Sequence, residues 1–321
     1  MPQLRLTVQS ITPLLMYGAD NKDDPQNASR RAEPELRAPS IRGMLRYWLR
    51  AVLGAKIPST SQVFEAESAI LGSTGKGSRV RVHVAQSSQM QPEDKLTVLP
   101  KSTHGHTLLH RGFPANSEFR LTLSTHLLDG GAVFSADHDL MKAIFLMVHF
   151  GGLGRRSRRG SGNLLVHEVK GYDGDPQLDE LCADHDDLAR YLQLVSEYVT
   201  PLTQTVGSRP NFPVFAPDTA VALLGQETHQ DYESAFNELW SVSGSYHHEG
   251  GIFGDIENKK QNRQRRGSAI QMRVAATQAG FIAQQTILYN GSGQWRKMQE
   301  YVEHCRIEGF TVVYGDWRSW K

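Results

Sequence analysis

Leu4, Leu6 and Val8 alternate with polar residues, the period of a strand with one buried face. That spacing returns along the chain between helical patterns in a fixed order. The polar stretch from Tyr17 to Glu35, rich in Asp, Asn, Arg and Pro, reads as a long loop. Ile41, Leu45, Trp48, Leu49 and Val52 then share one side of a helix. Ser40, after Pro39, is its expected N-cap, and Gly54 is placed to stop it. Val80, Val82 and Val84 alternate in a second strand, and Phe119, Leu121 and Leu123 in a third. A second helix is predicted over 136–150, burying Leu140, Ile144, Met147 and Val148, with a fourth strand from Asn163 to Val169. Strand–helix–strand–strand–helix–strand is the ferredoxin-like split unit, with both helices on one face of an antiparallel sheet.

After a helix from Asp186 to Val199 and a proline-bearing linker from Pro201 to Pro217, the order repeats. Strands at Val221–Leu224, Ser268–Val274, Phe281–Leu288 and Phe310–Tyr314 enclose helices at Tyr232–Trp240 and Trp295–Arg306. The expected fold class is α+β, two tandem ferredoxin-like (RRM-like, βαββαβ) domains, residues 1–175 and 176–321. A short echo joins the halves. Ile70-Leu71-Gly72 precedes a polar insert and Ser78 opening SRVRV; Ile252-Phe253-Gly254 precedes a longer insert and Ser268 opening SAIQMRV. Duplication of one unit accounts for this, as does chance similarity of two related topologies.

With 321 residues, 39% of them hydrophobic, the chain can bury two cores. Its formal net charge is only +1, so any phosphate-binding charge must be local. Cys182 and Cys305 stand alone with no CxxC; two free thiols in a reducing compartment are expected, and neither a cysteine zinc site nor a disulfide framework. The opening MPQLRLTVQS has no apolar segment of the secretory kind, and no apolar run nears the ~20 residues of a membrane span. A cytoplasmic protein with no membrane contact is expected.

The sharpest local feature is Gly151-Gly152-Leu153-Gly154-Arg155-Arg156-Ser157-Arg158-Arg159-Gly160-Ser161-Gly162, between a predicted helix and a predicted strand. Glycines permit left-handed turns whose N–H groups form anion-binding nests, and arginines add bidentate phosphate donors. It is no Walker loop, since no GK[ST] closes it, and the helix-then-strand order reverses a dinucleotide fingerprint. A solvated glycine turn with incidental charge is the plain alternative. In the first helix, Arg42, Arg46 and Arg50 recur every four residues on a side distinct from the apolar one. No Asp or Glu lies between Arg37 and Glu65, which favours contact with RNA or a partner over a merely solvated face. Weaker basic places are Lys259, Lys260, Arg263, Arg265 and Arg266 in a polar insert, and Lys76, Arg79 and Arg81 around a turn, where a solvent-facing strand edge is the simpler account.

The segments ELRAPSIRGMLRYWLRAV, ESAILGST ahead of a strand, and GGLGRRSRRGSG together resemble the RAMP superfamily of CRISPR-associated proteins. Within it they resemble the family of subunit one of the type III-B Cmr effector complex and its relatives. The resemblance runs over about residues 4–170; GIFGDIE and RRGSAIQMRV carry a weaker one. It implies two RAMP domains without catalytic duty that hold the 3′ portion of a guide RNA and the target paired with it, in antiviral defence. The implied partners are CRISPR guide RNA, target RNA, other RAMP subunits and the polymerase-like large subunit of a type III complex; no cofactor is implied. The implied RNA-binding residues are Ser40, Arg42 and Arg46 in the helix, with Gly152, Gly154, Arg155, Arg156, Ser157, Arg158, Arg159 and Gly160 in the loop. Phosphate contacts of this kind position RNA without reading it, which suits a complex where base pairing carries specificity.

Catalytic readings are weaker. His104, His106 and His110 cluster, as in guide-processing endoribonucleases that use histidine as acid or base, but they lie far from the N-terminal strand. Asp20, Asp23 and Asp24 occupy the loop after the first strand, where related backbone subunits carry a target-cleaving aspartate able to bind a cation or activate a 2′-hydroxyl. That match is one of position only. His247, His248 and Glu249 lack a third distant ligand, so no metal site is expected. A protein–protein adaptor without RNA contact is the other class that the balanced charge permits.

Overall fold

The computed structural model describes residues 3–18, 33–97, 109–125, 134, 138–170, 187–199, 210, 212–244, 246, 252–253, 268–289 and 294–320. The first half builds β1 (Gln3–Ser10), α1 (Ala38–Leu53), α2 (Thr60–Leu71), β2 (Val80–Gln86), a ribbon of β3 (Glu93–Thr97) and β4 (Leu109–Gly112), β5 (Glu118–Thr125), α3 (Asp139–His149) and β6 (Leu164–Lys170). Helix α4 (Leu188–Val199) follows. The second half builds β7 (Ala220–His229), α5 (Tyr232–Gly244), β8 (Ile270–Thr277), β9 (Gly280–Leu288), α6 (Trp295–Ile307) and β10 (Thr311–Tyr314), with a 3₁₀ turn at Trp317–Ser319.

The sheets run β2-β5-β1-β6 and β10-β7-β9-β8. Numbering only each sheet's own four strands in chain order, both read fourth, first, third, second from one edge, and every pairing within them is antiparallel. Apolar alternation sets the register. Leu4, Leu6 and Val8 lie opposite Leu123, Leu121 and Phe119, and all six are at most 1% exposed. A one-residue slip would turn all of them to water.

The layers alternate sheet, helices, sheet, helices. One apolar cluster joins the inner face of the first sheet, α1, α3 and α4 to Ala220, Ala222, Leu224, Ala275 and Leu288 of the second sheet. The other holds Val221, Leu223, Ile270, Met272, Val274, Ala283 and Ile287 against α5 and α6. Among the described residues both faces of the second sheet are therefore packed against helices, while the first sheet is packed on one face only. Helix α3 lies in the inner helical layer and buries Met141, Ala143, Phe145 and Leu146 as well as the four residues expected from periodicity. An all-round apolar helix is what burial between two sheets requires.

Other departures from the sequence reading are local. Helix α1 starts at Ala38 with Arg37 as N-cap, so Ser40 lies inside the first turn and is not the cap. Pro39 fits there because first-turn N–H groups have no partner within the helix. Helix α2 and the β3–β4 ribbon are not anticipated by apolar spacing.

Candidate nucleic-acid interface

The glycine-rich loop leaves α3 and returns as β6, folding onto the segment after β1. Leu153 N donates to Gly162 O (2.8 Å), Arg155 N to Leu15 O (2.6 Å) and Gly162 N to Pro13 O (3.0 Å). Three positions accept only glycine, among them Gly162, with φ +65° and a Cβ 2.1 Å from Leu153 O. At Gly154, φ is +81° and a Cβ would stand 2.4 Å from Leu15 O; at Gly160, also +81°, it would stand 2.5 Å from the Phe236 ring of α5. Gly152 lies close against the Ser161 and Gly162 carbonyls, and Ser157 is buried.

The loop's arginines divide into two pairs. Arg158 lies over the Tyr47 ring at 4.9 Å and donates Nη1 to Ser268 O at 3.0 Å. Arg159 lies over the Phe253 ring at 5.1 Å and donates Nη2 to Phe253 O at 2.8 Å. Met272 N donates to Arg158 O (3.2 Å). This half of the loop is a wedge between the two halves of the chain. Arg155 is exposed and Arg156 half-buried; Arg156 has a left-handed backbone, φ 63°. Burial, then repulsion from Arg155, lowers the Arg156 pKa. Burial, then repulsion from Arg156, does the same for Arg159. Among the described residues no carboxylate pairs with Arg156, Arg158 or Arg159, and Arg159 Nη1 is buried without a hydrogen-bond partner.

On α1 the arginines meet α2. Arg46 Nη1 and Arg50 Nε donate to the two oxygens of Glu67, whose side chain is fully buried. Arg42 Nη2 donates to Leu71 O, and Arg46 Nη2 to Leu71 O at 2.7 Å and to Gly72 O. The acid missing between Arg37 and Glu65 is thus supplied just beyond that interval. Burial, then Arg46, lowers the Arg42 pKa. These guanidiniums cap the C-terminal end of α2, where carbonyls lack helical donors.

The echo between halves is a matched clasp. Ser78 Oγ donates to Val80 O (2.6 Å) and accepts from Val80 N (3.2 Å), while Arg79 N donates to Ile70 O (3.0 Å). Ser268 Oγ donates to Ile270 O (2.9 Å) and accepts from Ile270 N (3.0 Å), while Ala269 N donates to Ile252 O (3.1 Å). The next carbonyl, Leu71 O or Phe253 O, takes a guanidinium in both halves: from α1 in the first, from Arg159 of the loop in the second.

Sequence reasoning missed the residues that fix the loop from the second half. Arg273 donates Nε to Val148 O (3.1 Å) and Nη2 to Leu164 O (2.7 Å), at the end of α3 and the start of β6. Burial lowers its pKa to about 10. Gln284 Nε2 donates to His149 O (2.8 Å). Asn163 Oδ1 accepts from Val274 N (2.9 Å), and its Nδ2 donates to Gly151 O (3.3 Å). The available signal was a lone arginine inside the apolar run IQMRVAA.

Asp20, Asp23, Asp24, His104, His106, His247, His248, Glu249, Lys259, Lys260, Arg263, Arg265 and Arg266 lie outside the described residues. His110 is buried in β4. Among the described residues no three His, Cys, Asp or Glu side chains gather as a metal site, and no helix is long and apolar enough to cross a membrane.

Comparison with known proteins agrees with this geometry. Residues 7–165, from β1 through the loop into β6, match the family model of the RAMP superfamily. The CRISPR system Cmr subunit Cmr1-1 of Pyrococcus furiosus is 30% identical over 155 residues, 42% of this chain and 42% of that subunit. The match thus spans less than half of that relative's length. Cmr1-2 of the same organism is 26% identical over 196 residues, 51% of this chain and 94% of the subunit. The crystal structure of apo Cmr1 from Pyrococcus furiosus superposes over all of both chains with a TM-score of 0.68 at 16% identity. A chain in the cryo-EM structure of a type III-B Cmr-beta complex bound to cognate target RNA gives 0.63 at 12% identity, covering 96% of this chain and 99% of that one. Through residues 7–165 the chain belongs to the RAMP superfamily, and it is similar to Cmr1 subunits of CRISPR systems.

Proposed function

We propose that this chain is a non-catalytic RNA-binding subunit of a type III CRISPR effector complex. In this reading its halves are two tandem ferredoxin-like domains that hold the 3′ portion of the guide RNA and the target RNA paired with it. The partners are guide RNA, target RNA, other RAMP subunits and the polymerase-like large subunit, in the cytoplasm. The observation that carries the reading is the mouth of the loop. Arg155 and Arg156 stand side by side at the surface, and no carboxylate among the described residues pairs with Arg156. A phosphate diester supplies the missing negative charge and takes bidentate guanidinium bonds. The division of the loop gives this proposal its form: Arg155 and Arg156 face RNA, while Arg158 and Arg159 hold the loop in place.

The test is binding of guide RNA to the reconstituted complex across a salt series. Arg155→Ala/Arg156→Ala is expected to weaken retention and to flatten the log–log salt slope by roughly 1.4, about 0.7 for each lost contact on single-stranded RNA. An unchanged slope refutes the assignment. The non-catalytic part is tested by changing Asp20, Asp23 and Asp24 to Ala in the complex with matched target and magnesium. Every cleavage product is expected to remain; loss of one product with target binding intact would make the chain a ribonuclease.

A further inference from the structure

In the sheet–helix–sheet–helix stack, one sheet face is left uncovered by the described residues: the outer face of the first sheet. Its side chains fall into rows fixed by register. His83, Thr122, Arg5 and Lys170 lie opposite one another across all four strands. Arg81, Ser124 and Gln3 form the row on one side. Ala85, Arg120, Thr7 and Glu168 form the row on the other. Arg5, Arg81, Arg120 and Lys170 are all exposed. Against these four cations stand Glu118 at one end of the sheet and Glu168, which Lys170 and Thr7 already engage.

This arrangement is not that of an ordinary solvated face. Arg5 and Lys170 occupy directly opposed positions on neighbouring strands, and like charges so placed destabilise a sheet. Arg120 sits on the diagonal from Arg5, within reach of a long side chain. The strands between carry Thr7, Thr122, Ser124 and Gln3, all of which donate hydrogen bonds. The three rows hold no Phe, Tyr or Trp and a single exposed imidazole, His83, so the multi-ring stacking of bases by which such a sheet usually reads sequence has one ring at most to work with. An apolar partner surface has equally little to grip. Four strands at ~4.8 Å spacing make the band about 14 Å across, room for more than one phosphate.

We propose that the outer face of the first sheet is a second RNA-binding surface, which takes the sugar–phosphate backbone of single-stranded RNA through Arg5, Arg81, Arg120 and Lys170 without reading sequence. It is separate from the glycine-rich loop and does not depend on it.

The experiment uses the full chain and a fluorescent unstructured oligouridylate, with affinity measured by anisotropy from low to moderate salt. Arg5→Gln/Arg81→Gln/Arg120→Gln is expected to lower affinity at least tenfold at low salt and to reduce the salt slope by roughly 2, about 0.7 per phosphate contact. The melting temperature should stay within about 2 °C, because the three side chains are exposed. The charge-retaining variant Arg5→Lys/Arg81→Lys/Arg120→Lys should keep most of the affinity. A poly(A) probe should bind the parent chain as the oligouridylate does. If the glutamine variant binds like the parent while Arg155→Ala/Arg156→Ala does not, the face is overturned and the loop reading stands. If the glutamine variant loses affinity and the loop variant keeps it, the face stands and the loop reading falls. Loss of neighbouring subunits from the assembled complex at unchanged RNA affinity would make the face a protein contact and overturn the proposal.

Discussion

Replacing Arg273 by Met removes a cation from the middle of the molecule. The residue is 4% exposed and bonds Val148 O at 3.1 Å, Leu164 O at 2.7 Å and, more weakly, Gln284 Oε1 at 3.4 Å. No carboxylate pairs with it among the described residues. The negative end of the α3 dipole takes that part, and a pKa of about 10 keeps the guanidinium charged at neutral pH. Bonds to charged groups contribute about 1.5–3 kcal/mol each net of solvation. The two short ones therefore supply roughly 3–6 kcal/mol. Methionine fills similar volume and avoids the desolvation that a buried charge suffers, which returns part of this. The expected net loss is about 2–4 kcal/mol, or roughly 3–6 °C in melting temperature for a chain of this size. Thermal unfolding followed by circular dichroism measures it. Limited proteolysis should also show earlier cutting in the glycine-rich loop, since α3 and β6 lose their shared anchor. A melting temperature equal to or above the parent's would refute the reasoning, by showing that the bonds do no more than offset the burial of the charge.

Two further outcomes follow from the same accounting of buried groups. Glu67→Ala should destabilise the protein by about 3 kcal/mol, the low end for a broken buried pair, because Arg46 and Arg50 remain partly exposed at 25% and 45% and can rehydrate; denaturant titration at constant m-value checks it. Burial pushes the Cys305 thiol up to about 12, so at pH 8 its thiolate fraction is about 10⁻⁴, and iodoacetamide should label it only on unfolding. With the folded pKa raised, the folded state keeps a proton that the unfolded state begins to lose near pH 8.5–9. The associated stability is therefore full below that range and falls as the pH rises towards 12.

How much of this was legible in the sequence follows from how far apart the interacting groups lie. Strands such as β1 and β5 announced themselves because each buries every second residue. The apolar face of α1 was read correctly for the same reason, since Ile41, Leu45, Trp48, Leu49 and Val52 are all buried. Helix α2 escaped because its buried positions include Glu67 and Ser68 beside Val63 and Leu71, so polar residues stand where a helix normally shows its stripe. The Arg42–Arg46–Arg50 ridge looked unpaired because its acid comes from a neighbouring helix. The loop looked like a surface hook because composition reports charge but not direction. Arg158 and Arg159 point to carbonyls of the other half, 110 and 94 positions away in sequence. A four-arginine alanine variant is therefore a packing change as well as a charge change.

The serine clasps of the two halves are alike in geometry but differ in what completes them. Leu71 O receives its guanidinium from α1, within the same half, whereas Phe253 O receives one from Arg159, which belongs to the preceding half. For this carbonyl the donor comes from the earlier half, while the loop that carries the donor is itself held by Arg273 and Gln284 of the later one. During synthesis the donor leaves the ribosome well before the acceptor appears. A first half copied in tandem would bring its own cap with each copy. A second half copied alone would leave that carbonyl waiting for an arginine that its own chain does not encode at the matching place.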